Sequence, residues 1–348
     1  MNTIALLLIS LAVSFAVTAL LGFVLIPALH KLKFGQTILT DIGPRWHARK
    51  QGTPTMGGLM FVIGILCAVA VTLLCAKLTG TPVFSEVTAS ATQERTKLYA
   101  GLLLAFCLGL VGFADDYIKV RRQRNLGLTE VQKTVPQLLV IVAYLTTLQL
   151  SGCRRMLIPL IGEGPVNLDS IPGMIFFYVF GAMVIYGAVN AVNFTDGIDG
   201  LCGSVTVPVG VAFAVMAYLQ KNTSVSLLGA ALAGACAGYL VWNRFPAKVM
   251  MGDTGSMFLG GLVVALAYAL DCPIILLPVG IVYVIEALSD ILQIIAIKVF
   301  HRKLLLMAPV HHHLEMKGWS EKKIVFVFTL ISLLGCVNGV ILMQLSMQ

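Results

Sequence analysis

The sequence predicts an all-α polytopic membrane protein with about ten transmembrane helices. Of its 348 residues, 58% are hydrophobic and only 11% are charged, whereas a soluble domain carries roughly a quarter charged residues. Mean hydropathy is +0.92. Ten apolar runs reach or approach the ~20 residues needed to cross a bilayer.

The runs centre in 4–29, 54–76, 98–114, 134–150, 174–192, 203–219, 225–242, 255–270, 274–297 and 324–345. The first is too long for a signal peptide and lacks its basic leader, so it reads as a retained helix. Eighteen of the 24 Lys and Arg fall in the connections after the odd-numbered runs and six in those after the even-numbered ones. Positive residues favour the cytoplasm, which puts both termini outside and five connections inside. The net charge of +8 then faces anionic headgroups rather than nucleic acid. No linker, repeat or low-complexity tract divides the chain, so residues 1–348 read as one integral membrane domain. The eight cysteines show no CxxC and no paired spacing, which argues against a zinc site or a disulfide framework.

Three connections carry further expectations. Between the fourth and fifth runs, apolar residues flank a Gly/Pro turn and predict a short outer β-hairpin. Phe84–Lys97 is polar and reads as a separate amphipathic surface helix. The ninth run holds Glu286, Asp290 and Gln293; the first two share a face at i, i+4. That face must meet protein or water, and a bent helix satisfies the requirement as well as a buried pair does.

Aspartates mark the inner side. Asp115-Asp116-Tyr-Ile-Lys119 closes the third run, Asn190-Ala-Val-Asn193-Phe-Thr-Asp196-Gly-Ile-Asp199-Gly closes the fifth, and Gly252-Asp253-Thr-Gly-Ser opens the eighth. Carboxylates gathered at one membrane face, interleaved with cations, suit a divalent metal and a phosphorylated substrate. Adjacent helical residues diverge by about 100°, so Asp115 and Asp116 need not serve one ligand; an ion-pair knot with the following arginines is the plainer alternative. The Asn190, Asn193, Asp196 and Asp199 steps of three place them roughly along one face, with groups suited to a nucleobase or sugar. Asp253 suits a metal, or else caps its helix. Lys50, before Gly52-Thr-Pro-Thr-Met-Gly-Gly, could hold an anion at the entry to the second helix. His311, His312 and His313 diverge too far to ligate one metal and suit anion binding or proton transfer.

In this order, from Thr-Pro-Thr-Met-Gly-Gly to Pro-Val-His-His-His-Leu-Glu, the motifs resemble the phospho-N-acetylmuramoyl-pentapeptide transferase family. It lies within the polyprenyl-phosphate N-acetylhexosamine-1-phosphate transferase superfamily. The resemblance implies a bacterial inner-membrane enzyme of peptidoglycan biosynthesis with its site on the cytoplasmic face. It would move phospho-MurNAc-pentapeptide from UDP-MurNAc-pentapeptide to undecaprenyl phosphate, with Mg2+, giving lipid I and UMP. It implies catalytic roles for Asp115, Asp116, Asp253 and His311–His313, with Asp253 the metal ligand. Substrate contacts would come from Lys50, Lys119, Lys133, Asn190, Asn193, Asp196, Asp199 and Met250. Many members carry Phe where Met250 stands, so a thioether replaces an aromatic face against uracil. Membrane lipids and a second copy of the chain complete the expected partners. A sister GlcNAc-1-phosphate transferase, or a transporter with a carboxylate relay, are the alternative readings.

Overall fold

The computed structural model describes residues 2–32, 52–122, 126–159 and 166–346. Lys50 and Arg124 lie outside the described residues. Among the described residues, nine helices are long and apolar enough to cross a membrane, and one bent pair makes a tenth span. The spans are α1 (Thr3–Lys31), α2 (Gly58–Thr79), α3 (Thr88–Arg121), α4 (Glu130–Leu150), α5 (Ile171–Thr195), α6 (Leu201–Leu219), α7 (Thr223–Asn243), α8 (Gly252–Ala269), the pair α9 (Leu276–Val279) and α10 (Ile281–Phe300), and, after the short α11 (Val310–Met316), α12 (Glu321–Leu345). Each predicted apolar run falls on one of them.

The centre of the bundle is set by small residues. The most apolar windows of α7 and α8 are 83% and 89% buried, against 22% for α1 and 28% for α12. Lipid is as apolar as leucine, so spanning helices associate through close backbone approach and hydrogen bonds. Ser10 and Ser14 of α1 donate to the carbonyls of Leu227 and Ala231 on α7 at 2.8 and 2.7 Å. Trp242 closes the same interface by donating to the Ala19 carbonyl at 2.8 Å. On the other side, α3 lies against α8 so closely that a Cβ on Gly112 would sit 2.1 Å from the Asp253 carbonyl oxygen. That contact brings the Asp115 turn to the start of α8.

Three local expectations meet the structure. The expected strand pair is present: β1 (Arg155–Met156) pairs antiparallel with β2 (Val166–Asn167), Arg155 opposite Asn167. The surface helix over 84–97 is not separate. Thr88–Lys97 forms the start of α3, whose 34 residues rise about 51 Å, well beyond a ~30 Å hydrocarbon core. Lys97 is buried there because its Nζ pairs with Asp271 at 2.7 Å.

The ninth span is broken, as one of the two readings required, with 88° between its halves. The break lies at Gly280 and not beside Glu286 or Asp290. Pro278 has no N–H to donate and Gly280 has no Cβ, so the ladder is weakest there. Beyond the break α10 exposes Leu288, Ile291, Ile294 and Ile297 on its outer surface.

Candidate functional site

Three carboxylates converge where the end of α3 meets the start of α8. One oxygen from each of Asp115, Asp116 and Asp253 lies within 4.8 Å of the other two. The two adjacent aspartates have separate tasks, as their angular divergence requires. Asp116 faces α8. Its Oδ1 accepts the Asp253 N–H at 3.2 Å, and its Oδ2 accepts the Thr254 N–H at 2.9 Å and the Thr254 hydroxyl at 2.7 Å. The residue preceding α8, Met251, offers no side-chain cap. Asp116 therefore caps α8 from a neighbouring helix and places a negative charge at the positive end of its dipole. Asp253 itself sits inside the first turn and does not cap. Gly252, at φ +69°, makes this fit: a Cβ would lie 2.4 Å from Asp116 Oδ2 and 2.6 Å from Thr55 Oγ1.

Asp115 faces the basic residues. Its Oδ1 accepts the Leu128 N–H at 2.7 Å, and its Oδ2 pairs with Lys119 at 2.5 Å. Asp253 Oδ2 accepts Lys133 Nζ at 2.7 Å and Lys119 Nζ at 3.2 Å. Its Oδ1 accepts Asn193 Nδ2 at 2.9 Å, and the same amide nitrogen reaches Ser256 Oγ at 2.7 Å. Helices α3, α4, α5 and α8 thus each contribute to one polar cluster. Three carboxylates face two ammonium groups, which leaves one formal negative charge. The side chains of Asp253, Lys119 and Lys133 keep 19, 34 and 20% of their surface exposed, against 4% for Asp115. The cluster opens to solvent on their side.

The donors fit a hard divalent cation, which takes carboxylate oxygens. Asp116 has both oxygens committed to α8. Asp253, with Asp115 beside it, has the oxygens directed toward the opening, and these now hold lysines. A cation there would displace or share the positions of the Lys119 and Lys133 ammonium groups.

The Asn190–Asp199 series divides. Asn193 joins the cluster. Asn190 turns to α4, donating to Gln137 Oε1 at 3.2 Å and to the Tyr186 carbonyl at 2.8 Å. Helix α5 ends at Thr195, and the chain reverses through Gly197 and Gly200, the latter at φ +78°. Asp196 and Asp199 therefore leave the shared face. Asp199 Oδ2 accepts the Ala247 N–H at 2.9 Å, and its own N–H donates to Glu321 Oε2 at 3.0 Å.

The three histidines do not all diverge: the His311 and His312 ring centres lie only 4.1 Å apart, although each of the three has its own hydrogen-bond partner. His311 is fully buried; its Nδ1 meets Glu286 Oε2 at 2.9 Å, and its ring lies where a Cβ on Gly197 would be 2.0 Å from Nε2. His312 Nδ1 meets Glu315 Oε2 at 2.7 Å. His313 Nδ1 accepts the Leu306 N–H at 3.1 Å. Partial desolvation, and then the Lys317 charge, hold His313 below the usual histidine range, consistent with a neutral ring accepting at Nδ1. Gln293 fastens the same loop to α10: Oε1 accepts the Leu304 and Leu305 N–H groups at 3.1 and 2.8 Å, and Nε2 donates to the Leu305 carbonyl at 3.1 Å. The polar face of the ninth span is thus the seat of the histidine loop.

Met250 is zipped to the segment before α2. Its N–H donates to the Pro54 carbonyl at 2.8 Å, and its carbonyl accepts the Gly57 N–H at 2.9 Å. The sequence reading missed Glu286 as the partner of His311, the Leu128 amide, Ser256, and Glu321 beneath Asp199. Only Ser256 lay within a motif. The others become visible only when distant segments meet.

The profile of Glycosyl transferase family 4 matches residues 98–271, a span that runs from α3 to just past α8 and holds every member of the carboxylate cluster. A phospho-N-acetylmuramoyl-pentapeptide-transferase signature matches residues 50–62, the segment leading into α2. A phospho-N-acetylmuramoyl-pentapeptide-transferase of Acetivibrio thermocellus is 40% identical over 335 residues, covering 96% of this chain and 94% of the relative. One from Clostridium botulinum is 42% identical over 333 residues, covering 95% of each. One from Geobacillus kaustophilus is 40% identical over 333 residues, covering 95% of this chain and 96% of its own. Likeness at this level runs through the helices that build the cluster and through the loops that face it, and the chain belongs to the phospho-N-acetylmuramoyl-pentapeptide-transferase family.

Proposed function

We propose that this enzyme transfers phospho-MurNAc-pentapeptide from UDP-MurNAc-pentapeptide to undecaprenyl phosphate, releasing UMP and forming lipid I. The reaction depends on magnesium and takes place at the cytoplasmic face of the bacterial inner membrane. The observation that supports this best is the meeting of Asp115 and Asp253 with Lys119, Lys133 and Asn193 at an opening to solvent. Phosphoryl transfer asks a protein chiefly for positioning and charge neutralisation. Lys119 and Lys133 are free to exchange carboxylate partners for phosphate oxygens. Asp115, held by the Leu128 amide, orients the acceptor phosphate. A magnesium ion held by Asp253, with Asp115 beside it, would supply charge neutralisation on the diphosphate.

The nucleotide half of the donor falls to Asp196, Asp199, Lys50 and Met250, with a thioether contact to the base. His311–His313 cover the diphosphate. The Lys/Arg asymmetry of the connections supports a cytoplasmic site. The test is UMP release from UDP-MurNAc-pentapeptide, with undecaprenyl phosphate and magnesium each supplied and withheld. Release only when both are present is expected. Release from UDP-GlcNAc in place of the muramoyl donor would move the chain to the sister activity.

A further inference from the structure

The aspartate end of the bundle carries a second feature, which shares Asp199 with the proposed nucleotide side and is otherwise unused by the transfer reaction. Helix α6 packs against both α7 and α12 and leaves a groove between those two, with a volume of about 980 Å³. Its floor includes Val207 and Pro208, and its walls include Leu240 and Val241 on one side and Val325 and Phe326 on the other. Val241 and Phe326 are exposed, so the groove opens sideways where the hydrocarbon of a bilayer would lie.

The mouth of the groove is basic. Arg244, Lys248 and Lys322 line it, and none of the three has an ion pair among the described residues. Lys248 Nζ lies 5.1 Å from the Trp242 ring centre and Lys322 Nζ 5.5 Å from that of Phe245. The aromatic faces hold the ammonium groups at the rim. Among the described residues Asp199 is the one carboxylate in the lining, and its Oδ2 is turned to the Ala247 amide. Three cations above an apolar trough match an amphiphile with an anionic head.

We infer that this groove binds an anionic membrane phospholipid, its phosphodiester at Arg244, Lys248 and Lys322 and one acyl chain along Val207, Val241 and Phe326. Basic pockets between spanning helices are suited to such headgroups. None of Asp115, Asp116 and Asp253 lines the groove, so it stands apart from the acceptor phosphate's place. Two of the headgroup cations, Arg244 and Lys248, belong to the segment that anchors Asp199 through Ala247, and Lys322 opens α12 beside Glu321, so a bound lipid would steady the nucleotide side of the site from behind. The inference goes beyond the proposed reaction and does not require it.

Native mass spectrometry of the full chain in detergent tests it, with phosphatidylglycerol or phosphatidylcholine of identical acyl chains titrated in. Phosphatidylglycerol should be retained at higher collision energy than phosphatidylcholine. Each of Arg244→Gln, Lys248→Gln and Lys322→Gln should lower its occupancy about fivefold, the equivalent of about 1 kcal/mol per cation near an anionic head. Val207→Trp, which fills the trough and leaves the charges in place, should lower the binding of both lipids. Should the charge variants fold poorly, the tryptophan variant and the two-lipid comparison still decide. Equal retention of both lipids, or unchanged adducts in Val207→Trp, would overturn the inference. So would one-for-one displacement of phosphatidylglycerol by undecaprenyl phosphate, which would make the groove the acceptor's own. No arm reads turnover, so its outcome is separate from that of the proposed reaction.

Discussion

Asp116 and Asp115 are neighbours in sequence, yet removing each should damage a different property. Asp116 is 3% exposed and receives three hydrogen bonds from the start of α8. An ordinary cap replaced by alanine costs about 0.5–2 kcal/mol. In Asp116→Ala three donors lose their acceptor where little water can enter, at about 1–3 kcal/mol each. The Asp253 amide is already at 3.2 Å and weighs least. Together the loss should be about 3–5 kcal/mol. Asp116→Asn can keep its oxygen on Thr254 and lose mainly the longest bond and the charge, about 1–2 kcal/mol. Asp115→Asn keeps an acceptor for the Leu128 amide. It loses a pair with a one-third-exposed lysine, which is worth at most about 1 kcal/mol. Thermal unfolding in detergent, followed by tryptophan fluorescence, should rank the parent close to Asp115→Asn, then Asp116→Asn, then Asp116→Ala several degrees lower. UMP release should fall in Asp115→Asn without that loss of stability. An Asp116→Ala protein that unfolds with the parent and is merely inactive would refute its role as the cap of α8.

Asp253→Asn should abolish turnover and flatten the magnesium titration while the protein stays folded; near-normal activity with an unchanged titration would remove Asp253 as a metal ligand. Asp199→Ala should weaken UMP binding by about 1–3 kcal/mol, since it frees the Ala247 amide and loosens the segment before Met250; isothermal titration with UMP reads this directly, and a change confined to the lipid substrate would contradict it. Tryptophan at Ile294 or Ile297, both exposed on α10, should raise the apparent KM for undecaprenyl phosphate more than that for the UDP substrate. His313 titrates below the ordinary histidine value in the folded chain, so unfolding takes up its proton. Its contribution is therefore complete above about pH 6.5 and declines as pH falls below that value; the protection of the Leu306 amide, its exchange measured against the intrinsic rate at each pH, should fall over the same range in the parent and show no such pH-linked fall in His313→Ala.

The helices were legible because spanning a bilayer demands ~20 apolar residues, and that length shows in any window. The aspartates were legible because a carboxylate at the end of such a run is costly and stands out. Their division of labour was half visible: the 100° between Asp115 and Asp116 showed that they part, but not that one would cap a helix more than a hundred residues away. The regular spacing of Asn190, Asn193, Asp196 and Asp199 misled because the helix stops at Thr195 and the glycines turn the chain. A period carries over only as long as the backbone that generates it. Phe84–Lys97 was read as a separate element because its polarity ends the apolar run, although polarity does not end a helix. Nothing at Lys97 announced Asp271, which follows the neighbouring helix α8 and is 174 residues away in the chain.

Glu286 shows how α10 and the histidine loop are joined. A carboxylate in a spanning helix needs a partner, and here the partner is the imidazole of His311, delivered by the loop that follows the same helix. Ser289 adds to the seat by accepting the Val310 N–H at 3.1 Å, and Gln293 adds three bonds to the chain at Leu304 and Leu305. Helix α10 and the histidine loop are therefore tied together at three levels of the helix. The 88° break at Gly280 precedes all three, so one unbroken helix, Ile281–Phe300, carries the whole seat. The same helix turns Ile294 and Ile297 outward while Glu286 holds His311 against Gly197.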